Sequence, residues 1–243
     1  MPAHDFRMPR LYVDAPLAAG GELALDRDQA NYLLNVLRLK RGEEVLLFNG
    51  ADGEWRARLA GQGKRAAVEL LRREREQPGA GDLHFLFAPL KHARLDYMVQ
   101  KAVEMGVSHI QPVITRHTQV ARVNLERMRA NVIEAAQQCG ILALPAVAEP
   151  VDFARAVTDD GRLLIFCDER ADVQDPLAAL KAAPRLPLSL LIGPEGGFAD
   201  DERAMLLRRG HVARIALGPR ILRADTAAVA ALAVVQAVLG DWR

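Results

Sequence analysis

Leu190-Leu191-Ile192-Gly193-Pro194-Glu195-Gly196-Gly197-Phe198 carries a continuous apolar run into a Gly/Pro-rich turn, and Asp200-Asp201-Glu202 then open an acid-rich helix start. An apolar run without alternation suits a strand covered on both faces, the kind found in parallel sheets flanked by helices. The three glycines leave the main chain bare, so its N–H and C=O groups can approach a ligand closely, and glycine accepts positive φ. The turn has neither the GxGxxG pattern of dinucleotide sites nor the GK[ST] of a phosphate loop. Acids at the helix start would repel a pyrophosphate there, which favours a cofactor without phosphates. The plain alternative is a tight strand-to-helix connection that binds nothing.

Outward from this stretch the same rhythm continues. Leu83 to Ala88, Ile110 to Ile114, Leu163 to Cys167 and Leu188 to Ile192 read as buried strands, separated by helical patterns ending at Gly106, spanning Asn124 to Cys139 and spanning Pro176 to Ala183. A helix near Asp200 to Arg209, a strand at Val212 to Leu217 and a long apolar helix from Thr226 complete the series. Alternating β and α segments predict an α/β domain with a mostly parallel sheet, whose ligands sit at the carboxyl ends of the strands.

A second strand end meets a Gly-Pro turn at Leu217-Gly218-Pro219-Arg220-Ile221-Leu222-Arg223-Ala224-Asp225-Thr226. Arg220 and Arg223 lie among apolar residues, where a buried guanidinium is costly unless it meets an anion. Asp225 can supply that anion in a purely structural pair, and Thr226 can cap the helix that follows. From Ala227 to Leu239 that helix is apolar nearly all round, so sheet layers or a second subunit must cover it. A homodimer is the natural inference.

The segment Leu70 to Gly81 passes from a charged run into Pro and Gly, which places a boundary: residues 1–74, a linker at 75–82, and residues 83–243. Before it, Leu11 to Val13, Glu44 to Phe48 with the turn Asn49-Gly50, the alternating Glu54 to Leu59, and Ala66 to Leu71 read as short strands of a small β-barrel. Ala30, Leu33, Leu34 and Leu37 recur at helical spacing after Asp26-Arg27-Asp28 and predict one helix among them.

The 243 residues are half apolar, ample for a buried core, so a disordered chain is excluded. Thirty-two basic residues against 31 acidic give a formal charge of +1, which excludes a global field for nucleic acid or membrane. Basic residues gather only locally, as at Arg7 and Arg10, Arg38 and Lys40, Lys64 and Arg65, and Lys91 and Arg94. The longest apolar run, Thr226 to Leu239, is shorter than the roughly 18 residues that cross a bilayer and contains Gln236. With no signal-like N-terminus and only Cys139 and Cys167, the expectation is a cytoplasmic protein with reduced thiols and no membrane partner. No histidine stands at metal-ligand spacing, so no metal is expected, and the absence of GxSxG disfavours covalent hydrolysis.

LLIGPEGGF at Leu190 to Phe198 followed by LGPRILRADTA at Leu217 to Ala227 closely resembles the C-terminal motifs of the SPOUT-class 16S rRNA uracil-N3 methyltransferases. Lys91, Gln100 to Val107, Pro112 and Arg116 resemble that family's mid-chain block. Gln138-Cys139-Gly140 with Pro145 resembles another, and Pro9 to Tyr12 with Val36-Leu37-Arg38 resembles its N-terminal domain. The resemblance implies S-adenosylmethionine as methyl donor, a trefoil-knotted SPOUT-type domain, a PUA-like N-terminal β-barrel, a homodimer, and 16S rRNA or the 30S subunit as partner. Departures are Asp225 and Ala224, where the family has Glu and often Thr, and Ile141, where it has Arg.

By the same resemblance, the donor is held by three loops. They comprise Cys167, then Ile192, Gly193, Pro194, Glu195, Gly196 and Gly197, and then Leu217, Gly218, Ile221, Leu222, Arg223 and Thr226. Uracil N3 is protonated at neutral pH, and the charge left when its proton departs spreads onto O2 and O4. A guanidinium would stabilise that anion more than the neutral base, so Arg223 is the expected catalytic residue. Asp225 is expected to orient it or take the proton. N3 lies on the pairing edge, so the uridine must be unpaired or flipped. Arg10, Arg38, Lys91 and Arg116 are the expected RNA contacts. Two other readings stay open: a related knotted enzyme acting on another atom, such as a ribose 2′-hydroxyl or guanine N1, and a non-catalytic ribosome-assembly protein that binds RNA.

Overall fold

The computed structural model describes residues 8–61, 66–120, 122–168 and 170–242; Arg7, Lys64 and Arg65 among the basic residues above lie outside these ranges. The chain divides into two compact units, Met1–Gly79 with Ala136–Leu144, and Ala80–Ala135 with Pro145–Arg243.

In the first unit, β1 (Arg10–Tyr12), β2 (Glu22–Ala24), β3 (Glu44–Phe48), β4 (Glu54–Leu59) and β5 (Ala67–Arg75) form one sheet in the order β1-β3-β4-β5-β2. β1 runs parallel to β3, and the remaining pairings are antiparallel. Alternation along β4 sends Trp55, Ala57 and Leu59 inward, where they pack with Val45, Leu47, Val68 and Leu33. Arg56 faces outward between Glu44 and Glu74 on the neighbouring strands, a charge-matched cross-strand row. Irregular register at Glu54/Trp55 and Arg56/Ala57 raises the local twist and curls the sheet over its core.

The helix expected through Leu37 is cut short. α1 (Arg27–Asn31) starts on an Asp26/Gln29 capping box, then widens into a π-turn over Tyr32–Val36. The Leu39 N–H reaches back to the Leu33 carbonyl at 2.9 Å across Arg38, whose φ of 58° is left-handed. With the π-turn before it, this closure is one residue wider than the six-to-one closure usually built on glycine, and an arginine takes the left-handed position at a cost of about 1 kcal/mol. Leu33 is thereby fully buried, while Arg38 is left exposed.

Sequence reading did not assign Ala136–Leu144 to this unit. Gln137 Oε1 accepts the Tyr12 N–H at 2.8 Å, and the Gly140 carbonyl accepts from Arg75 Nη2 at 2.9 Å. Gly140 has φ 65°, and a Cβ there would lie 3.3 Å from Arg10 Nε, so this position favours glycine twice over.

The second unit contains β6 (Leu83–Phe87), α2 (His92–Glu104), β7 (His109–Ile114), most of α3 (Leu125–Cys139), β8 (Ala146–Val147), β9 (Val151–Asp152), α4 (Phe153–Ala156), β10 (Leu163–Cys167), α5 (Pro176–Ala182), β11 (Leu188–Ile192), α6 (Asp200–Arg208), β12 (Val212–Ile215) and α7 (Ala224–Val238). The sheet order is β12-β10-β11-β6-β7-β8, with β9 also paired to β7, and the pairings are parallel. β11 is buried at every position, as its unbroken apolar run requires. Phe85, Phe87, Phe166, Leu163 and Leu164 are each under 2% exposed, and burying such side chains contributes roughly 1.5–3 kcal/mol apiece.

Two boundaries differ from expectation. α7 begins at Ala224 with Arg223 as its N-cap residue, so Thr226 sits in the first turn and does not cap it. β5 runs to Arg75, into the segment expected to be linker. The short β2, β8, β9 and α4 carry too few residues for a period to show. Among the described residues no helix is long and apolar enough to cross a membrane.

Candidate active site at the ends of three parallel strands

The carboxyl ends of β10, β11 and β12, three adjacent strands of the parallel sheet, open onto one cavity of about 480 Å³. Its wall gathers Cys167, Ile192, Gly193, Pro194, Glu195, Gly196, Gly197, Leu217, Gly218, Ile221 and Leu222, all expected from the sequence. Arg223 and Thr226 are outside the lining, although Ala224 and Ala227 beside them belong to it. The lining also includes Pro219 and Arg220 of the expected Leu217 to Arg223 loop, and Asp168, Gln174, Phe198 and Ile215.

The glycines of the first turn have separate reasons. A Cβ on Gly193 would meet the Phe198 ring at 2.9 Å, and Phe198 itself sits between Phe153, tilted to it, and Phe166, edge-on to it. Gly197 has φ 71° and closes the turn by donating to the Pro194 carbonyl at 2.9 Å. Gly196 packs 3.4 Å from the His117 Cβ when a Cβ is placed on it. Substitution at Gly193 would move the Phe198 ring and at Gly197 would strain the backbone, whereas a methyl on Gly196 would only pack against His117.

The acids lining the cavity are paired. Asp168 is 4% exposed and receives Arg203 Nη2 at 2.9 Å, Arg214 Nε at 2.9 Å and the Arg170 N–H at 3.0 Å. Burial pushes its carboxyl up, but Arg203, the Arg170 N–H and Arg214 outweigh burial and hold it below the usual carboxylate range. Arg214 also binds Asp172 at 3.0 Å and the Arg170 carbonyl, so this cluster ties the segment after β10 to α6 and β12. Glu195 pairs with Arg94 from α2. The acids expected to repel phosphate are engaged too: Glu202 accepts the Ala199 and Arg116 N–H groups at 2.9 and 2.8 Å, and Asp201 meets Arg116 Nη2 at 2.5 Å. Burial pushes the Cys167 thiol up to about 12, so it stays protonated and adds no charge.

The second turn stands into solvent. Gly218, Pro219, Arg220 and Arg223 are exposed, and Ile221 is fully so. The expected costs of burying Arg220 and Arg223 therefore do not arise. The structural alternative, an Arg223–Asp225 pair, is absent among the described residues: Asp225 accepts the Thr226 N–H at 3.1 Å, and the Arg223 side chain makes no capping bond.

The expected RNA contacts divide. Lys91 at the start of α2 and Arg38 are exposed, and Arg116 is exposed while paired with Asp201. Arg10 corrects the expectation: its side chain is 3% exposed and its Nε binds Glu54 at 2.9 Å, so its charge is satisfied inside the first unit. A short alternation around Arg10 could not reveal this, because the partner lies 44 residues away.

Comparisons with known proteins accord with this geometry. Residues 76–236 match the RNA methyltransferase domain family, and residues 25–71 match the RNA methyltransferase PUA domain. A relative from Rickettsia conorii, the ribosomal RNA small subunit methyltransferase E, is 31% identical over 93% of this chain and 94% of its own length. A crystal structure of a ribosomal RNA small subunit methyltransferase E from Neisseria gonorrhoeae bound to S-adenosyl methionine is 29% identical, covers 97% of this chain and 100% of that one, and has a TM-score of 0.87. A methyltransferase structure from Legionella pneumophila with bound cofactor SAM is 29% identical over 95% and 98% of the two chains, with a TM-score of 0.83. With a family match across most of its length and a 31% identical full-length relative, the chain belongs to the RNA methyltransferase family of the ribosomal RNA small subunit methyltransferases E.

Proposed function

We propose that this chain transfers a methyl group from S-adenosylmethionine to N3 of a uridine in 16S rRNA. The observation that carries the reading is the convergence of LLIGPEGGF and LGPRILRADTA, from either side of α6 and β12, on one cavity at the ends of β10, β11 and β12. Its volume lies within the roughly 300–1,000 Å³ of small-ligand sites. Bare main chain beside acids that are already paired suits a nucleoside donor, and the two structural relatives described above were solved with that donor.

S-adenosylmethionine supplies an electrophilic sulfonium methyl group. The protein's part is to align the base nitrogen with it and to manage the charge of the departing N3 proton. Arg223, exposed beside the second turn and without a side-chain cap bond, is the residue proposed to meet the uracil anion through O2 and O4. Asp225, two residues on in the first turn of α7, is the group proposed to orient it or receive the proton. Lys91, Arg38 and Arg116 contribute phosphate contacts, with the N-terminal PUA unit helping to hold the RNA.

The same reading includes a homodimer, the knotted path of the C-terminal chain, a cytoplasmic location and 16S rRNA or the 30S subunit as partner. The dimer is supported by α7, where Ala227, Val229, Ala230, Ala233, Val234 and Ala237 form an apolar face left partly open. Nucleoside mass spectrometry of rRNA from a deletion strain tests the reaction. Loss of N3-methyluridine, restored by the gene, is the expected result; loss of a ribose or guanine methyl group instead would assign another target atom. Calorimetry with S-adenosylmethionine separates an enzyme from a binding-only protein.

A further inference from the structure

The loop after β7 is built to hold one imidazole against the glycine turn. Thr118 Oγ1 accepts the Thr115 N–H at 2.8 Å and lies 2.9 Å from Thr115 Oγ1, while the Thr118 N–H returns to the Thr115 carbonyl at 3.1 Å. Within this tight turn, Arg116 is anchored twice to the first turn of α6, by its main-chain N–H on Glu202 and by its guanidinium on Asp201. Between these anchors His117 places Nδ1 2.9 Å from the Gly197 carbonyl oxygen. Its Cβ side covers Gly196, where an added Cβ would lie 3.4 Å away.

The geometry points to His117 as a positioning residue for the donor-binding turn, acting through an Nδ1–H donated to the Gly197 carbonyl. This rests on the reading of the cavity as the donor site. A carbonyl oxygen only accepts, so the bond requires the proton on Nδ1 and leaves Nε2 of the neutral ring as an acceptor. Gly197 is the residue whose left-handed φ shapes the turn, and glycine there loses the most conformational freedom on ordering. A fixed donor on its carbonyl removes that freedom before the ligand arrives, so the turn is preorganised by a residue that need not touch the ligand. Arg94 clamps the same turn from α2 through Glu195.

Three full-length variants test this, with S-adenosylmethionine as the probe. Asn places an amide donor where Nδ1 stands, whereas Gln places one nearer Nε2. H117A and H117Q are expected to weaken donor binding by about three- to tenfold, and H117N to stay within about twofold of the parent. Turnover at saturating donor should change little in any of them, giving a KM effect without a kcat effect. Nitrogen-15 spectra of histidine-labelled protein should show Nδ1 protonated and Nε2 bare in the neutral ring. Equal losses in H117N and H117Q, or unchanged affinity in a folded H117A, would overturn the proposal. A collapse of kcat in all three with one limb lost from the pH profile would also overturn it, in favour of direct proton transfer. Failure of the parent protein itself to bind the donor would sink the donor-site reading rather than the role of His117.

Discussion

Arg10 and Glu54 meet at 2.9 Å with both side chains 3% exposed, and Arg75 shares the same carboxylate through two bonds of 2.7 Å. One buried acid thus serves two guanidiniums, joining β1, β4 and the end of β5. Removing it would leave two buried or half-buried cations in the core of the first unit. Glu54→Ala should therefore cost about 3–5 kcal/mol in urea unfolding, while the parent ion pair itself adds little over a well-packed apolar pair. Burial pushes the Glu54 carboxyl up, but Arg75 and then Arg10 outweigh it, so the folded pKa is lowered. Its contribution is present above the unfolded carboxylate pKa and is lost as pH falls through the lower folded value. An unchanged acid limb in Glu54→Gln would refute this.

Arg223→Ala should lower methyl transfer by about a hundred- to a thousandfold, because a guanidinium facing developing charge acts in the transition state far more than in the ground state. Donor affinity should stay near that of the parent, since Arg223 lies outside the cavity lining. Single-turnover methylation and donor titration of the same preparation check both halves. Unaltered single-turnover rates would remove Arg223 from the mechanism.

Lys91 and Arg38 are exposed cations. Each alanine substitution should weaken RNA binding and reduce the slope of log K against log salt by about 0.7. Arg10→Ala should instead lower stability and leave that slope alone, because its charge is held by Glu54. Salt titrations of rRNA-fragment binding separate the two behaviours.

Gln236, 2% exposed within the apolar α7, donates to the Met105 carbonyl at 2.6 Å and accepts the Asp241 N–H at 3.1 Å. Gln236→Leu keeps the bulk but strands both groups, a loss of about 1–3 kcal/mol. The packing is close: a Cβ on Gly240 would fall 1.7 Å from Gln236 Oε1, so Gly240→Ala should also destabilise. Thermal melts of the two variants measure this.

The His84 and His109 rings lie tilted to each other, 4.7 Å apart, at the other end of the sheet. Burial first, then Arg162 and His109, carries the His84 pKa down to about 4, and burial lowers His109 as well. A histidine lowered by folding contributes fully above its unfolded pKa of about 6.5. Between there and about 4 the unfolded chain takes up a proton that the folded chain refuses, so stability falls across that window. Urea midpoints should therefore drop below pH 6.5 with a slope under about 1.4 kcal/mol per unit for this one group, and His84→Phe should flatten the drop. A parent protein equally stable at both ends of the window would contradict the assignment.

The long parallel strands and their glycine turns were legible in sequence because both signals are local. An unbroken apolar run such as Leu188 to Ile192 marks a doubly covered strand, and Gly-Pro after it marks a turn with exposed main chain. Eleven of the thirteen expected donor residues indeed share one cavity wall. What the period could not show was the π-turn at Tyr32–Val36, where closing the helix over Leu33 outweighed the regular 3.6 repeat. Nor could it show Asp168, whose meaning depends on Arg203 and Arg214 arriving from two other elements.

By itself, then, the order of residues determined the class of fold and the strand ends that carry bare backbone, since both follow from short-range patterning. Tertiary structure alone decided which charges are available. Arg10 and Arg223 read alike along the chain, yet one is sealed against an acid 44 residues away and the other is left in solvent, because pairing and burial are set by what distant segments bring beside them.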